Sequence, residues 1–354
     1  MFESLSKYLE DPFLKSLYSQ IRQAGRIKSA SVDLTCNCNL RCDGCYFFRE
    51  KMESRIEGRE DDFDGFIARE RERGTNFVTI VGGEPTLRLE RIRKLADNFK
   101  VNVATNGLIR IPREGFEDVP FGVAVWGDLD ADTLMRGAGR INVFERALRN
   151  YRYDDRAFFY YTVTPGSESR IIETVRKCVD NGNRVLFNLF SDPGAGGETG
   201  FERVHEKILE AIDLFPDMIF TTAYLSGVVS SGELLGQKWG YDVCPNFSVD
   251  DPQNDGRKEN GNPFSTHFNA YNADFTTVRK CCTSVHGNCS GCYDVWQHFA
   301  WVMVNFRSHL ATREEFTNWL TTTFVFYLVN RLVPGDAADL LPEIHSRTGK
   351  TVPV

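Results

Sequence analysis

Thr35-Cys36-Asn37-Cys38-Asn39-Leu40-Arg41-Cys42-Asp43-Gly44-Cys45-Tyr46-Phe47 follows directly on the apolar run from Ile27 to Leu34. Cys38, Cys42 and Cys45 stand in a C-x3-C-x2-C array. Thiolates are the usual protein ligands of iron–sulfur clusters, and three of them this close in sequence can converge on one cluster. A cubane has four irons, so three cysteines leave one iron open to bind and activate a small molecule. The alternative is a zinc knuckle, which takes four Cys or His ligands. No fourth ligand follows promptly, although Cys36 lies just before the array.

Downstream, the charged stretch from Glu50 to Gly74 reads as a loop and a surface helix. Asn76 to Val81 is then a short β-branched strand that runs into Gly82-Gly83-Glu84-Pro85-Thr86-Leu87. Paired glycines let a backbone approach a ligand closely, and Pro85 suits the first turn of a helix. Val101 to Ala104 is a further strand, ending in Thr105-Asn106-Gly107. Strands are also predicted at Phe121–Val125, Phe158–Thr164 and Arg184–Phe190, and helices at Ile141–Asn150, Glu168–Val179 and Phe201–Leu214. Strands alternating with helices from Ile27 to Phe220 imply six parallel βαβ units. Polar residues at the C-terminal ends of such strands, Asn188 among them, face the site mouth in β/α barrels. Trp126, at the end of the fourth strand, is either a substrate wall or a core residue. Cys178 lies in a helix with no partner at ligand spacing and reads as a buried thiol.

The cysteine array, with Asn-Leu-Arg between its first two cysteines and an aromatic after the third, resembles the signature of the radical S-adenosylmethionine (radical SAM) enzymes. The Gly82 to Leu87 string resembles the motif with which that family holds the methionyl amino group of AdoMet. Thr105-Asn106-Gly107 and Arg136-Gly137 resemble companion motifs. The resemblance implies an α/β fold: a partial (β/α)6 TIM-like barrel over residues 27–226, after an N-terminal helical lead-in (1–26) and before a cysteine-rich, helical extension (227–354). It implies a catalytic [4Fe–4S] cluster on Cys38, Cys42 and Cys45, whose open iron chelates AdoMet. Gly82, Gly83 and Glu84 would meet the amino group, Thr105, Asn106 and Asn188 the carboxylate or ribose, and Tyr46 or Phe47 the adenine. An electron donor such as flavodoxin or ferredoxin is the implied partner.

The extension carries a second group, Cys244, Cys281, Cys282, Cys289 and Cys292. It has the content of a four-cysteine metal site, and a zinc ribbon is one reading. The other is an auxiliary iron–sulfur cluster on Cys244, Cys289, Cys292 and one of Cys281 and Cys282. The layout loosely resembles the tail of the radical SAM enzymes that adenosylate hopene; the SPASM and twitch type of tail is the other comparison, and the common SPASM tail carries more cysteines around two clusters.

With 354 residues, 42% hydrophobic and 26% charged, the chain can bury a full core. A net charge of -7 argues against nucleic acid as the main partner. Ten cysteines at metal-like spacings, without an export signal, argue against disulfides and for a cytoplasmic location. Phe2, Leu5, Leu9, Phe13, Leu17 and Ile21 recur at helical spacing and predict one amphipathic lead-in helix. The apolar run from Trp319 to Val329 is too short, and too polar at Thr321 to Thr323, to span a bilayer. It is expected to pack on the barrel's open side, with contact to a lipid surface as the alternative. Three functions are then in view: radical chemistry on an apolar or small-metabolite substrate, the same chemistry on a peptide, and a non-catalytic metal scaffold. The intact AdoMet motifs count against the third.

Overall fold

Six strands lie side by side in chain order, each parallel to the next: β1 (Ser29–Asp33), β2 (Phe77–Val81), β3 (Lys100–Thr105), β4 (Phe121–Trp126), β5 (Ala157–Val163) and β6 (Arg184–Leu189). The computed structural model describes residues 2–137, 141–191, 200–231, 244–256, 267–283 and 292–349. The strands are rich in Val, Ile and Phe and buried on both faces, as parallel sheets covered on two sides must be.

The sheet curls into a partial barrel. Gly44, in the cysteine loop that follows β1, packs so tightly on Phe190, just beyond β6, that a Cβ would stand 2.9 Å from the ring. Arg49 Nη1 also donates to the Ser191 carbonyl at 3.4 Å. The loop after the first strand thus reaches the C-terminal end of the sixth, although no ladder joins the two strands.

Helices cover all but one of the crossovers. The β1–β2 connection carries α3 (Tyr46–Arg49) and α4 (Glu60–Glu72), and the next carries α5 (Leu89–Ala96). α6 (Leu129–Met135) and α7 (Val143–Tyr151) follow β4, α8 (Glu168–Asp180) follows β5, and α9 (Glu202–Leu214) and α10 (Ala223–Ser230) follow β6. The sequence reading expected a helix in every unit, but residues 106–120 cross from β3 to β4 as a loop. Pro112, Pro120 and the positive-φ residues Gly107 and Gly115 make that stretch a poor helix. In α8, Cys178 is the buried thiol expected, and burial holds its pKa well above the usual value.

The lead-in is two helices rather than one, α1 (Phe2–Tyr8) and α2 (Pro12–Ala24). Pro12 cannot continue a helix from the preceding turn, and the Asp11 carboxylate caps the new one by accepting from Phe13 N at 2.9 Å. These helices pack against the extension: Tyr8 stacks on Phe316 at 5.4 Å, and Tyr327 OH donates to the Gly25 carbonyl at 2.9 Å.

The extension also enters the sheet. β7 (Ala270–Tyr271) runs parallel to β1 on its free edge, and β8 (Val278–Arg279) pairs antiparallel with β7, making eight strands. Two-residue strands carry no readable periodicity, so the sequence could not announce them. The helices α11 (Val295–Val304), α12 (Arg313–Val329) and α13 (Leu341–Arg347) complete the fold. Phe158 shares a strand face with Tyr160, and Trp296 of α11 meets both rings, at 6.4 and 6.1 Å. Phe326 of α12 meets Phe77, and Asn330 accepts a bond from Asn102 of β3 at 2.6 Å. The apolar tail therefore fills the barrel, and α12 is buried along almost its whole length. Among the described residues no helix is long and apolar enough to cross a membrane.

A buried ion pair fastens this tail to β1. Arg279 Nη1 lies 2.6 Å from Asp33 Oδ2, with both side chains almost wholly inaccessible. The same guanidinium donates to the carbonyls of Tyr271, Cys281 and Cys282 at 2.8, 3.0 and 2.9 Å. Burial pushes the Asp33 carboxyl up, and the Arg279 charge opposes that shift. Asp33→Ala would leave a cation buried without its counter-charge, a change that costs about 3–5 kcal/mol. Urea unfolding of the variant is expected to show a loss of that order; an unchanged midpoint would mean the pair does not hold the tail.

Candidate active site

The loop after β1 is built on backbone contacts with the turn after β2. Leu34 N donates to the Val81 carbonyl at 2.9 Å, Gly83 N to that of Thr35 at 3.0 Å, and Glu84 N to that of Asn37 at 2.8 Å. A Cβ on Gly83 would lie 2.0 Å from the Asn37 oxygen. Gly82 has φ +118 and would press a Cβ to 3.0 Å from Leu34 N. The glycine pair, expected to admit a ligand, is therefore required first by the cysteine loop itself.

Glu84 is 1% exposed, and its carboxylate is fully engaged. Oε1 accepts from Thr86 N, Thr86 Oγ1 and Thr105 Oγ1 at 3.1, 2.6 and 2.7 Å, and Oε2 from Asn106 N at 2.7 Å. Burial pushes its pKa up, against the pull of these bonds. Asn106 Nδ2 in turn donates to Asn39 Oδ1 at 2.6 Å, linking the end of β3 to the cysteine loop.

Cys38, Cys42 and Cys45 border one cavity of about 320 Å³. Tyr46, Gly82, Gly83, Glu84, Thr105, Asn106 and Asn188 border it too. Phe47 does not. Successive residues of a helix point about 100° apart, so with Tyr46 towards the cavity, Phe47 turns into the interior, where it is 1% exposed and meets Phe48 edge-on at 5.7 Å. Of the two aromatics, only Tyr46 borders the cavity.

Burial pushes the Cys38 thiol up to about 11, Cys42 up to about 12 and Cys45 upward. The buried Arg136 guanidinium works against this at Cys38 and Cys42. Arg136 is held by Asp132 one turn earlier on α6, Nε to Oδ2 at 3.0 Å, and donates to the carbonyls of Asn106 and Ala124. The sequence reading noted Arg136-Gly137 only as a string; Asp132 at i−4 was the available sign of a buried cation.

Cys36 turns away. Its thiol lies 2.9 Å from the Arg55 carbonyl, which removes the fourth ligand a zinc knuckle would need here. Among the described residues no three Cys, His, Asp or Glu side chains stand close enough for a single metal ion. The ligands of a cubane sit on different irons and lie farther apart. Three thiols on one cavity, backed by a buried positive charge, suit such a group with one iron open.

The second cysteine group reaches the same cavity. Cys244, Cys281 and Cys292 border it, and the charges of all three bear on Cys282. Gln297 stands among them: Cys244 Sγ donates to its Oε1 at 3.6 Å, and its Nε2 donates to Cys282 Sγ. Burial raises the Cys282 and Cys292 thiols well above the usual range. Cys289 lies outside the described residues.

Trp126 is a cavity wall, with its ring edge-on to Phe190 at 5.1 Å. α11 supplies a wall the sequence reading missed, through Gln297, His298 and Trp301, with Asp294 at its N-cap. Asn188 Oδ1 accepts from Val295 N at 2.9 Å and so also docks α11 on β6.

No protein-family model matches the chain, and no curated protein matches it. Solved structures do. Streptococcus suis SuiB bound to S-adenosylmethionine is 17% identical with a TM-score of 0.43, over 56% of this chain and 52% of SuiB. Native anSMEcpe with bound AdoMet is 15% identical with a TM-score of 0.49, over 77% and 80% of the two chains. TYW1 with a lysine–pyruvate adduct bound is 16% identical with a TM-score of 0.37, over 54% and 73%. The likeness is one of chain path. The match spans about half the length of SuiB.

With thiols at about 11 and 12, little thiolate exists at pH 8. In the metal-free protein, Cys38 and Cys42 are expected to react slowly with iodoacetamide at pH 8 and faster as the pH approaches 11, read by mass spectrometry. Gly83→Ala, which overpacks the Asn37 carbonyl at a cost of about 1–3 kcal/mol, should lower stability and speed alkylation at pH 8. Unchanged rates in that variant would show that the glycine contact does not seat the loop.

Proposed function

We propose that this chain is a radical SAM enzyme, and that its cavity is where AdoMet meets an apolar or small-metabolite substrate. The observation that carries this reading is convergence: Cys38, Cys42 and Cys45, the Gly82–Glu84 turn and the ends of β3 to β6 border one cavity. Cys38, Cys42 and Cys45 would hold a [4Fe–4S] cluster, and with AdoMet bound beside it that group would supply one-electron reductive cleavage of the sulfonium.

The chain's residues bind, orient and shield. The N–H groups of Gly83 and Glu84 are held by the cysteine loop, so this turn has carbonyl oxygens to offer, the polarity an ammonium group requires. Thr105, Asn106 and Asn188 take the carboxylate or ribose, and Tyr46 lies beside adenine. Arg136 places a fixed positive charge behind the cysteines. Trp126, Phe190 and Trp301 give an apolar wall that excludes water from a reactive intermediate and suits an apolar substrate. Cys244, Cys292, one of Cys281 and Cys282, and Cys289 hold an auxiliary iron–sulfur cluster, whose larger span suits cysteines that, among the described residues, are not gathered around a single ion. A flavodoxin or ferredoxin supplies the electron.

The test is iron and sulfide per chain, with EPR, on anaerobically reconstituted wild type and on the variant with Cys38, Cys42 and Cys45 all changed to Ala. About eight irons falling to about four is the expected result for two [4Fe–4S] clusters, together with loss of reductant-dependent 5′-deoxyadenosine formation. About four falling to none, with zinc retained, would assign zinc to the tail. A triple variant that still makes 5′-deoxyadenosine would overturn the proposal.

A further inference from the structure

α11 is apolar in composition, yet Asp294, Gln297, His298 and Trp301, spaced i, i+3, i+4 and i+7, all border the cavity. Buried polar groups ordinarily find partners. Gln297 has Cys244 and Cys282, and the Asp294 carboxylate accepts from Trp296 N at 3.0 Å and from Tyr160 OH at 3.3 Å.

His298 is different. Its Nδ1 lies 2.8 Å from the Asp294 carbonyl oxygen. A carbonyl only accepts, so the ring proton sits on Nδ1 and Nε2 carries a bare lone pair. That Nε2 is buried with no partner among the described residues, on a side chain 2% exposed. Burial also pushes the imidazole pKa down to about 4, so the ring is neutral near pH 7. The other buried histidines among the described residues do not share this situation. His309 pairs both nitrogens, with Tyr224 OH and the Asn305 carbonyl, and His345, whose Nδ1 is unpaired, does not border the cavity.

We propose that His298 Nε2 is the acceptor that reads the substrate, and that the substrate presents an N–H or O–H donor, carried on an apolar body, to the α11 wall. This rests on the reading that the cavity takes a substrate, and it narrows the class. A bare imidazole nitrogen accepts, so the group it meets on this wall is a donor. Trp126, Phe190 and Trp301 offer the apolar contact. An analogue that lacks the donor leaves Nε2 buried and unpaired, and that is where discrimination arises.

The test uses the full chain with 15N-labelled histidine, and indole and 1-methylindole as probes of one shape with and without a donor. The His298 signal is expected in the Nδ1–H tautomer. Indole should bind about tenfold more tightly than 1-methylindole and shift the Nε2 resonance. That ratio should fall to about one in H298F and in H298N, which keeps an amide donor towards the Asp294 carbonyl; circular dichroism checks that each variant is folded. An Nε2–H tautomer, indole binding no more tightly than 1-methylindole to wild type, or a preference that persists in folded H298N would each overturn the proposal. AdoMet cleavage is measured separately on the reconstituted wild type. Its absence would sink the radical SAM reading, while the indole preference would still decide the role of His298.

Discussion

The buried carboxylate of Glu84 is the point on which the site depends. Four donors converge on it from the turn after β2 and from the end of β3. A carboxylate can be buried only where such donors replace water. By satisfying that demand, Thr86, Thr105 and Asn106 fix the distance between two neighbouring strand ends. The backbone of the same turn then grips the cysteine loop, where Gly83 leaves no space for a side chain. The cysteines are positioned by strand register and by one close backbone approach, with little help from their own side chains.

The extension is part of the same machine. It adds β7 and β8 beside β1, and Arg279 reaches from there to Asp33 at the foot of the cysteine loop while holding the carbonyls of Cys281 and Cys282. One guanidinium thus ties the base of the first cysteine group to the backbone of the second. Its aromatic helices pack against β2 and β5, and strand ends and α11 line the cavity. The aromatic content that suggested a lipid contact is used inside the molecule.

Much of this was legible in the chain. The six long strands, most of the helices between them and the three site strings were found close to their observed bounds, because each stands on a local signal: β-branched runs, helical spacing, paired glycines. Local signals failed where a feature depends on a distant neighbour. Phe47 and Tyr46 are equivalent in sequence, and only the direction of α3 separates them. The two-residue strands β7 and β8 exist because β1 offers a free edge. The break before Pro12 does have a local signal, the proline and the Asp11 that precedes it.

By itself the sequence determined the element order, the parallel αβ alternation and the chemistry on offer, since thiols, glycines and turn residues are local properties of the chain. Only the tertiary structure decided which of them share a cavity. Cys36 and Cys38 are two residues apart and face different surroundings, while Cys38 and Cys244 lie far apart in the chain and border one space. The same holds for His298, an ordinary residue in an apolar helix until burial and the Asp294 carbonyl fix its tautomer and leave one nitrogen bare. Burial and partner geometry are sums over the whole fold, and no stretch of the chain contains them.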